Sequence, residues 1–332
     1  MPIARRRTLA CCVLFAAAAT GAAEDPRQLL ERMNKALTER NYVGTFVQFA
    51  NGRVSQMKIL HRVENGRVTE RLQSLDGSGR EIVGTSDELT CYLPDQNKVL
   101  VEPRKDQGPL LGTLPSFRPE LVEYYTVEAK GTGRVMRHNT RIVSVTPKDE
   151  FRFGYRLWLD EETAVPLKTQ LCDADGRVIE QILFTEIAWP DRIPNSAFKP
   201  QLSTEGFTWV RADSSLQIPE IAPDSLLWRA IRLPPGFRLS ASTTQPLENP
   251  SRPVAHLVYS DGLATVSVFI ETNERGQALS GHATVGSSAA FSTVVDGHQV
   301  TAVGEVPPKT VELIAGSVQP SGRPTGASSR RP

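Results

Sequence analysis

The sequence predicts an α+β, mostly β protein of two domains, the larger one a long antiparallel sheet curled around a helix. Three observations carry this prediction. Apolar and polar residues alternate along many short segments, turn residues separate those segments about every dozen positions, and one segment with helical spacing precedes them all. The stretch Glu150 to Trp189 shows the pattern best. Phe151, Phe153, Tyr155, Leu157 and Leu159 take alternate positions and so share one face of a strand. Asp160 to Thr163 is a polar turn, and Val165, Leu167, Thr169 and Leu171 repeat the alternation on a return strand. Asp173-Ala174-Asp175-Gly176 makes the next turn, because Asp and Gly tolerate positive φ. The third strand, Val178 to Ile187, is apolar almost throughout from Ile182 on and needs cover on both faces.

The other elements follow in chain order. Leu29, Leu30, Met33, Ala36 and Leu37 repeat at helical spacing within Asp25 to Arg40, with Pro26 in the first turn. Strands then alternate with Asn51-Gly52, Asn65-Gly66 and Asp76-Gly77-Ser78-Gly79, strong hairpin signals. A further pair flanks Pro94 to Asn97. The rhythm stops at Pro103. A loop rich in Gly and Pro follows, and it carries Leu110, Leu111 and Leu114, with Phe117 just after it. Apolar residues in a loop need somewhere to go. Two readings are open: a lid at the mouth of a cavity, or packing on the core. Phe46 and Trp158 are candidate wall residues of the same cavity, with ordinary core packing as the alternative. A short helix over Arg118 to Tyr125 and strands at Tyr124 to Glu128 and Thr140 to Thr146 lead into the Glu150 stretch. A twisted sheet of roughly ten strands must curl or close, and wrapped on a helix it encloses an apolar interior.

The resulting division places a signal peptide at 1–23, the half-barrel domain at 24–198, a proline-punctuated linker at 199–223, a small α+β domain at 224–317 and a disordered tail at 318–332. Arg5-Arg6-Arg7, the apolar run Leu9 to Ala19 and the small residues Gly21-Ala22-Ala23 form an export signal cleaved before Glu24. Lipoprotein processing at Cys11 or Cys12 fits less well, because the apolar segment before Cys11 is too short. Export leaves Cys91 and Cys172, and in an oxidising compartment either a disulfide or two separate buried thiols is open.

Chemistry that would mark an enzyme does not assemble. The chain of 332 residues carries a net charge of +1, too little field to hold nucleic acid. It has no phosphate loop, no HExxH, no nucleophile elbow and no CxxC. His61, in a strand between Leu60 and Arg62, reads as a satisfied structural histidine rather than a ligand. No metal, cofactor or catalytic residue is expected.

Several stretches, in order, resemble the MucB/RseB family of periplasmic regulators of the envelope-stress sigma factor. They are Tyr42-Val43-Gly44-Thr45-Phe46-Val47, Ile59 to Glu64, Glu70 to Gly77, Arg80 to Val83, and Leu157-Trp158-Leu159-Asp160 through Lys168. In the second domain they are Leu233 to Phe237, Tyr259-Ser260-Asp261-Gly262-Leu263, Val266 to Ile270 and Val303 to Pro307. The resemblance implies a larger domain like the LolA/LolB lipoprotein carriers, an unclosed β-barrel around helices. It implies that the smaller domain joins it in binding the periplasmic region of a membrane anti-sigma factor of the MucA/RseA type. It further implies that binding shields that factor from site-1 proteolysis, and that lipid A, lipopolysaccharide or lipoprotein acyl chains release it. The alternatives are a periplasmic lipid or lipoprotein carrier, for which the second domain has no evident use, and a structural envelope protein with a filled barrel. Oligomeric state stays open, a homodimer included.

Overall fold

A computed structural model of the chain describes residues 25–104, 110, 117–211, 227–246, 253–272 and 279–321. The signal peptide, Leu111, Leu114 and positions 322–332 of the tail lie outside the described residues.

Helix α1 (Pro26–Glu39) begins where the Asp25 side chain accepts from the Arg27 N–H at 2.9 Å, and Pro26 fills the first turn. The large sheet is built from β1 (Tyr42–Ala50), β2 (Arg53–Glu64), β3 (Arg67–Ser74), β4 (Glu81–Gly84), β5 (Glu88–Leu93) and β6 (Lys98–Pro103). It continues with β7 (Tyr125–Val135), β8 (His138–Pro147), β9 (Gly154–Asp160), β10 (Pro166–Cys172), β11 (Val178–Ala188) and β12 (Thr208–Arg211). The twelve strands run in the order β12-β6-β5-β4-β3-β2-β1-β11-β10-β9-β8-β7, open at both edges. Asn51-Gly52 and Asn65-Gly66 turn two of the hairpins with positive φ at both positions, the geometry whose twist matches the strands.

One apolar face of this sheet closes over α1. Leu29, Leu30, Met33 and Leu37 share a core with Phe46 and Ile59 on one flank and with Val143, Leu157 and Phe184 on the other. A single helix can touch strands that far apart in the sheet only if the sheet curls around it. The curled sheet expected from the alternation, and the unclosed barrel implied by the resemblance, are therefore present. A smaller cluster joins Ala36 of α1 to Val135, Ala164, Val165 and Leu167, with Trp158, Leu183, Ile187 and Trp189 packed against it. The cover expected on both faces of β11 is incomplete: Ile182 and Phe184 are buried on the concave face, while outward Leu183 is half-buried and Thr185 exposed.

Two details depart from the expectations, and one open alternative is resolved. The sheet is not wholly antiparallel, because β12 pairs in parallel with β6. Residues 199–223, read as a linker, thus contribute a strand. Leu202 and Phe207 pack on Tyr92, Val99 and Val101, and Trp209 meets Tyr92 edge-on at 6.4 Å, so apolar anchors tie this proline-rich run to the sheet. The tail also starts later than 318. Strand β20 (Val318–Pro320) pairs with β13 (Trp228–Ala230), and buried Val318 joins the small-domain core. Finally, Cys91 and Cys172 are both free thiols. They sit on β5 and β10 with five strands between them, and burial pushes both thiols up in pKa.

The small domain holds an antiparallel sheet of β14 (Arg238–Pro246), β15 (Pro253–Ser260), β16 (Thr265–Thr272), β17 (Gly281–Val285), β18 (Ser288–Val295) and β19 (His298–Gly304) in the order β14-β15-β16-β19-β18-β17. Helix α2 (Pro308–Ala315) lays Val311, Ile314 and Ala315 on Val266, Val268, Val300 and Ala302.

Candidate partner-binding cleft

The two domains meet around one arginine. Arg152, in the loop between β8 and β9, is fully buried although its guanidinium is always charged. Burial of such a group is tolerated only when its donors are matched. Here Nε and Nη2 donate to the Asp149 carboxylate at 3.0 and 2.9 Å, Nη1 donates to Asp261 at 2.6 Å, and Nη2 also donates to the Pro235 carbonyl at 2.6 Å. Asp261 and Pro235 belong to the small domain. The rings of Tyr124, Tyr125 and Phe237 lie 5.2 to 5.4 Å from the guanidinium carbon.

Asp261 is held from every side. Its second oxygen accepts from the Leu263 and Ala264 N–H groups at 2.8 and 2.7 Å, and the Tyr125 hydroxyl reaches it at 3.1 Å. Burial, then the Asp261 charge, pushes the Tyr125 phenol far up in pKa, so it stays a donor. The same turn sends Leu263 onto the large-domain core. Nearby, Thr310 donates to the Phe151 carbonyl at 2.7 Å and Lys309 pairs with Glu150 at 2.5 Å. Tyr124 packs directly over Gly236, whose φ of +81° favours glycine and where a Cβ would strike the ring.

Beside this junction opens a cleft of about 1110 Å³ between the domains. The large domain supplies Arg118, Glu120 and Tyr124 from the 3₁₀ turn Pro119–Glu123 and its flanks. The small domain supplies Arg238, Ser240 and Thr243 from β14, the open edge of its sheet. Hydroxyls and charges of both signs line it together with the apolar surfaces of Leu121, Tyr124 and Val258.

The residues singled out from the sequence fall elsewhere. Phe46 and Phe117 are buried in the concave core, Phe46 tilted on Phe184 at 5.5 Å and Phe117 edge-on to Tyr155 at 5.9 Å. Leu110 is half-buried against the same core. These three share one face. Trp158 does not join them: Leu157 and Leu159 point inward, so Trp158 faces outward, with the Lys168 ammonium 4.2 Å above its ring. Leu111 and Leu114 are outside the described residues.

The insertion is tied down by charge. Glu70, wholly buried, accepts from Arg104 at 2.7 Å and from the Leu110 N–H at 3.1 Å, and pairs with His61 Nδ1 at 2.9 Å. Tyr42 stacks on His61 at 4.7 Å. His61 is thus held structurally through Nδ1 and its ring, although its buried Nε2 has no hydrogen-bond partner among the described residues, so it is not the fully satisfied histidine expected. Burial alone would raise the Glu70 carboxyl, but the bonds and charges of His61 and Arg104 outweigh it and hold the pKa below the usual range.

Arg152 and Asp261 escaped the sequence reading. The only signals were an arginine amid the aromatic alternation at Phe151 to Tyr155 and an Asp-Gly turn at 261–262. Neither signal states that the two meet across domains.

Comparison with known proteins fits this architecture. Residues 25–202 match the MucB/RseB N-terminal domain and residues 222–319 the MucB/RseB C-terminal domain. The sigma factor AlgU regulatory protein MucB of Pseudomonas aeruginosa is 33% identical over 92% of this chain and 94% of its own length. The sigma-E factor regulatory protein RseB of Escherichia coli K12 is 28% identical over 88% and 89%. A crystal structure of MucB in complex with MucA(peri) aligns with 90% of this chain and 99% of its own at a TM-score of 0.71 and 30% identity. A crystal structure of MucB aligns over the same shares at 0.62. With both domains matched in order and a relative of this identity spanning nearly the whole chain, the protein belongs to the MucB/RseB family.

Proposed function

We propose that this chain is a periplasmic regulator that binds the periplasmic region of a MucA/RseA-type anti-sigma factor and so restrains an envelope-stress sigma factor. The observation that carries the reading is the match, over both domains, to MucB in complex with MucA(peri). The interdomain cleft supports it physically. At about 1110 Å³ it exceeds the roughly 300–1,000 Å³ of small-molecule sites, and β14 offers an unpaired edge to an extended peptide. A partner held between two domains is covered on two sides, which is how binding would shield it from a site-1 protease.

Release by a lipid is the finer part of the proposal. The concave face is apolar and the sheet is open at its edges, so lipid A or lipoprotein acyl chains would enter beside the insertion that carries Leu110, Leu111, Leu114 and Phe117. The test is a titration of the mature chain from Glu24 with the periplasmic segment of its host's anti-sigma factor, with and without lipopolysaccharide. Binding that lipopolysaccharide competes away is expected. Binding indifferent to lipid removes the sensor and keeps the regulator. No binding overturns the regulator and leaves the lipid carrier, to be sought by extracting co-purifying lipid. Sizing of the same sample reads whether a homodimer forms.

A further inference from the structure

Away from the arginine junction, the domains touch at a second place, and its chemistry is unusual. The turn between β17 and β18 abuts the β1–β2 hairpin, with Asn51 packed on Gly286. The next residue, Ser287, is 4% exposed. Its Oγ lies 2.7 Å from Glu180 Oε1 on β11 of the large domain and 2.6 Å from Glu305 Oε1, just after β19 of the small domain. Both distances are those of O–H···O bonds. A hydroxyl carries one proton and can donate to one acceptor. Two ionised carboxylates would leave the second contact a pair of facing oxygens with no hydrogen between them.

We infer that the docked domains hold one shared proton here: the Glu305 carboxyl donates to Ser287 Oγ, and Ser287 donates to the Glu180 carboxylate. The chain satisfies both short contacts and leaves one negative charge instead of two. The other titratable group facing the carboxylates is the phenol of Tyr155 on β9, itself raised by burial first and then by Glu305, Asp261 and Glu180. No Lys, Arg or His among the described residues forms an ion pair with Glu180 or Glu305. Nothing but a proton is therefore at hand to offset the pair. Burial, together with the Glu180 charge, raises the Glu305 carboxyl against the lowering by the Ser287 bond.

The sign follows. Docking raises the carboxyl pKa above its undocked value, so docking takes up a proton. It is strongest below the ordinary carboxylate range and is lost as pH rises through the docked-state value, by up to about tenfold per pH unit within that window. Acidification of the compartment would tighten the domains and alkalinisation would loosen them.

The experiment is hydrogen exchange on the full mature chain between pH 5 and 8, corrected for intrinsic rates and read at the amides of Asn51-Gly52 and Val285 to Ser288. In the wild type, protection should fall as pH rises. Glu305→Gln keeps a donor toward Ser287 without a titrating proton, so its protection should be high and flat with pH; Glu180→Gln should also flatten the slope. Amides of β2 and β3 near Glu70 report whether the fold itself is changing. A Glu305→Gln protein with the wild-type slope overturns the inference. So does a wild type that is flat with pH, or one whose turn amides are unprotected throughout.

Discussion

Single side chains divide the stability of this protein between opposite pH signs. Glu70 sits below the usual carboxylate range because His61 and Arg104 overcome its burial. Its contribution is complete above the ordinary carboxylate value and lost as pH falls through the lowered one. Glu70→Gln should therefore remove part of the acid-unfolding transition, measured by circular dichroism from pH 7 to 2, and free the Leu110 N–H to exchange. An unchanged acid midpoint would show that the network is not worth its burial. Arg152 bears the larger single load. Arg152→Ala leaves Asp261 buried without its cation, and breaking one partner of a buried pair costs about 3–5 kcal/mol. Tyr125 and two backbone N–H groups still hold Asp261, so the lower end is expected in urea unfolding. Arg152→Lys should recover only part of the loss, because an ammonium cannot serve Asp149, Asp261 and Pro235 at once. Full recovery by lysine would mean that charge alone mattered.

At the level of elements, the strands and the helix could be read from periodicity because each buries one face. Met33 is fully buried at its helical spacing, and Leu157 and Leu159 face inward as their alternation required. The β11 run calls for cover on both faces, yet its outward positions are only half-buried or exposed; alternation does not tell which face is concave, and Trp158 lies on the face opposite the expected cavity wall. Segment 199–223 was legible only in part: prolines interrupt its periodicity and Leu202 stands alone, but Phe207 and Trp209 already alternate at strand spacing. Close approach between elements is equally invisible until registers are known. Gly44 on β1 faces Ile187 of β11, and a Cβ there would lie 2.6 Å from the Phe184 ring. Gly44→Ala should force Phe184 off its place against Phe46 and cost about 1–3 kcal/mol, as overpacking does. A melting temperature equal to the wild type would mean that both the ring and the Glu186 carbonyl, 2.8 Å from the added Cβ, yield freely. Phe117→Ala, which empties the edge-on partner of Tyr155, should cost about 3–5 kcal/mol if Phe117 is core. Little loss of stability with weakened lipid binding would instead restore it to the cavity mouth.

The whole molecule depends on contacts that no local pattern encodes. Arg152 with Asp261 and Ser287 with Glu180 each join residues more than a hundred positions apart, and the interdomain cleft is lined by Asp261 of the first junction. The most direct way to disturb the cleft while leaving the buried core residues of both domains in place is Gly236. It sits in a rigid Pro-Pro-Gly turn at φ +81°, under the Tyr124 ring, on the wall of the cleft. An added methyl would be strained by the backbone and would also push Tyr124, hence the large domain, away. Gly236→Ala should leave the exchange protection of the α1-centred core and of the α2-packed sheet as in the wild type. It should weaken binding of the anti-sigma segment by at least about tenfold, equivalent to ~1.4 kcal/mol. Calorimetric titration reads the affinity, and exchange of the Leu263 and Ala264 amides reads whether the turn has left Asp261. Weaker binding with those amides exposed would tie partner recognition to domain docking. Unchanged affinity with the same amides exposed would mean that each domain recognises the partner by itself, and the cleft would then be a seam rather than the site.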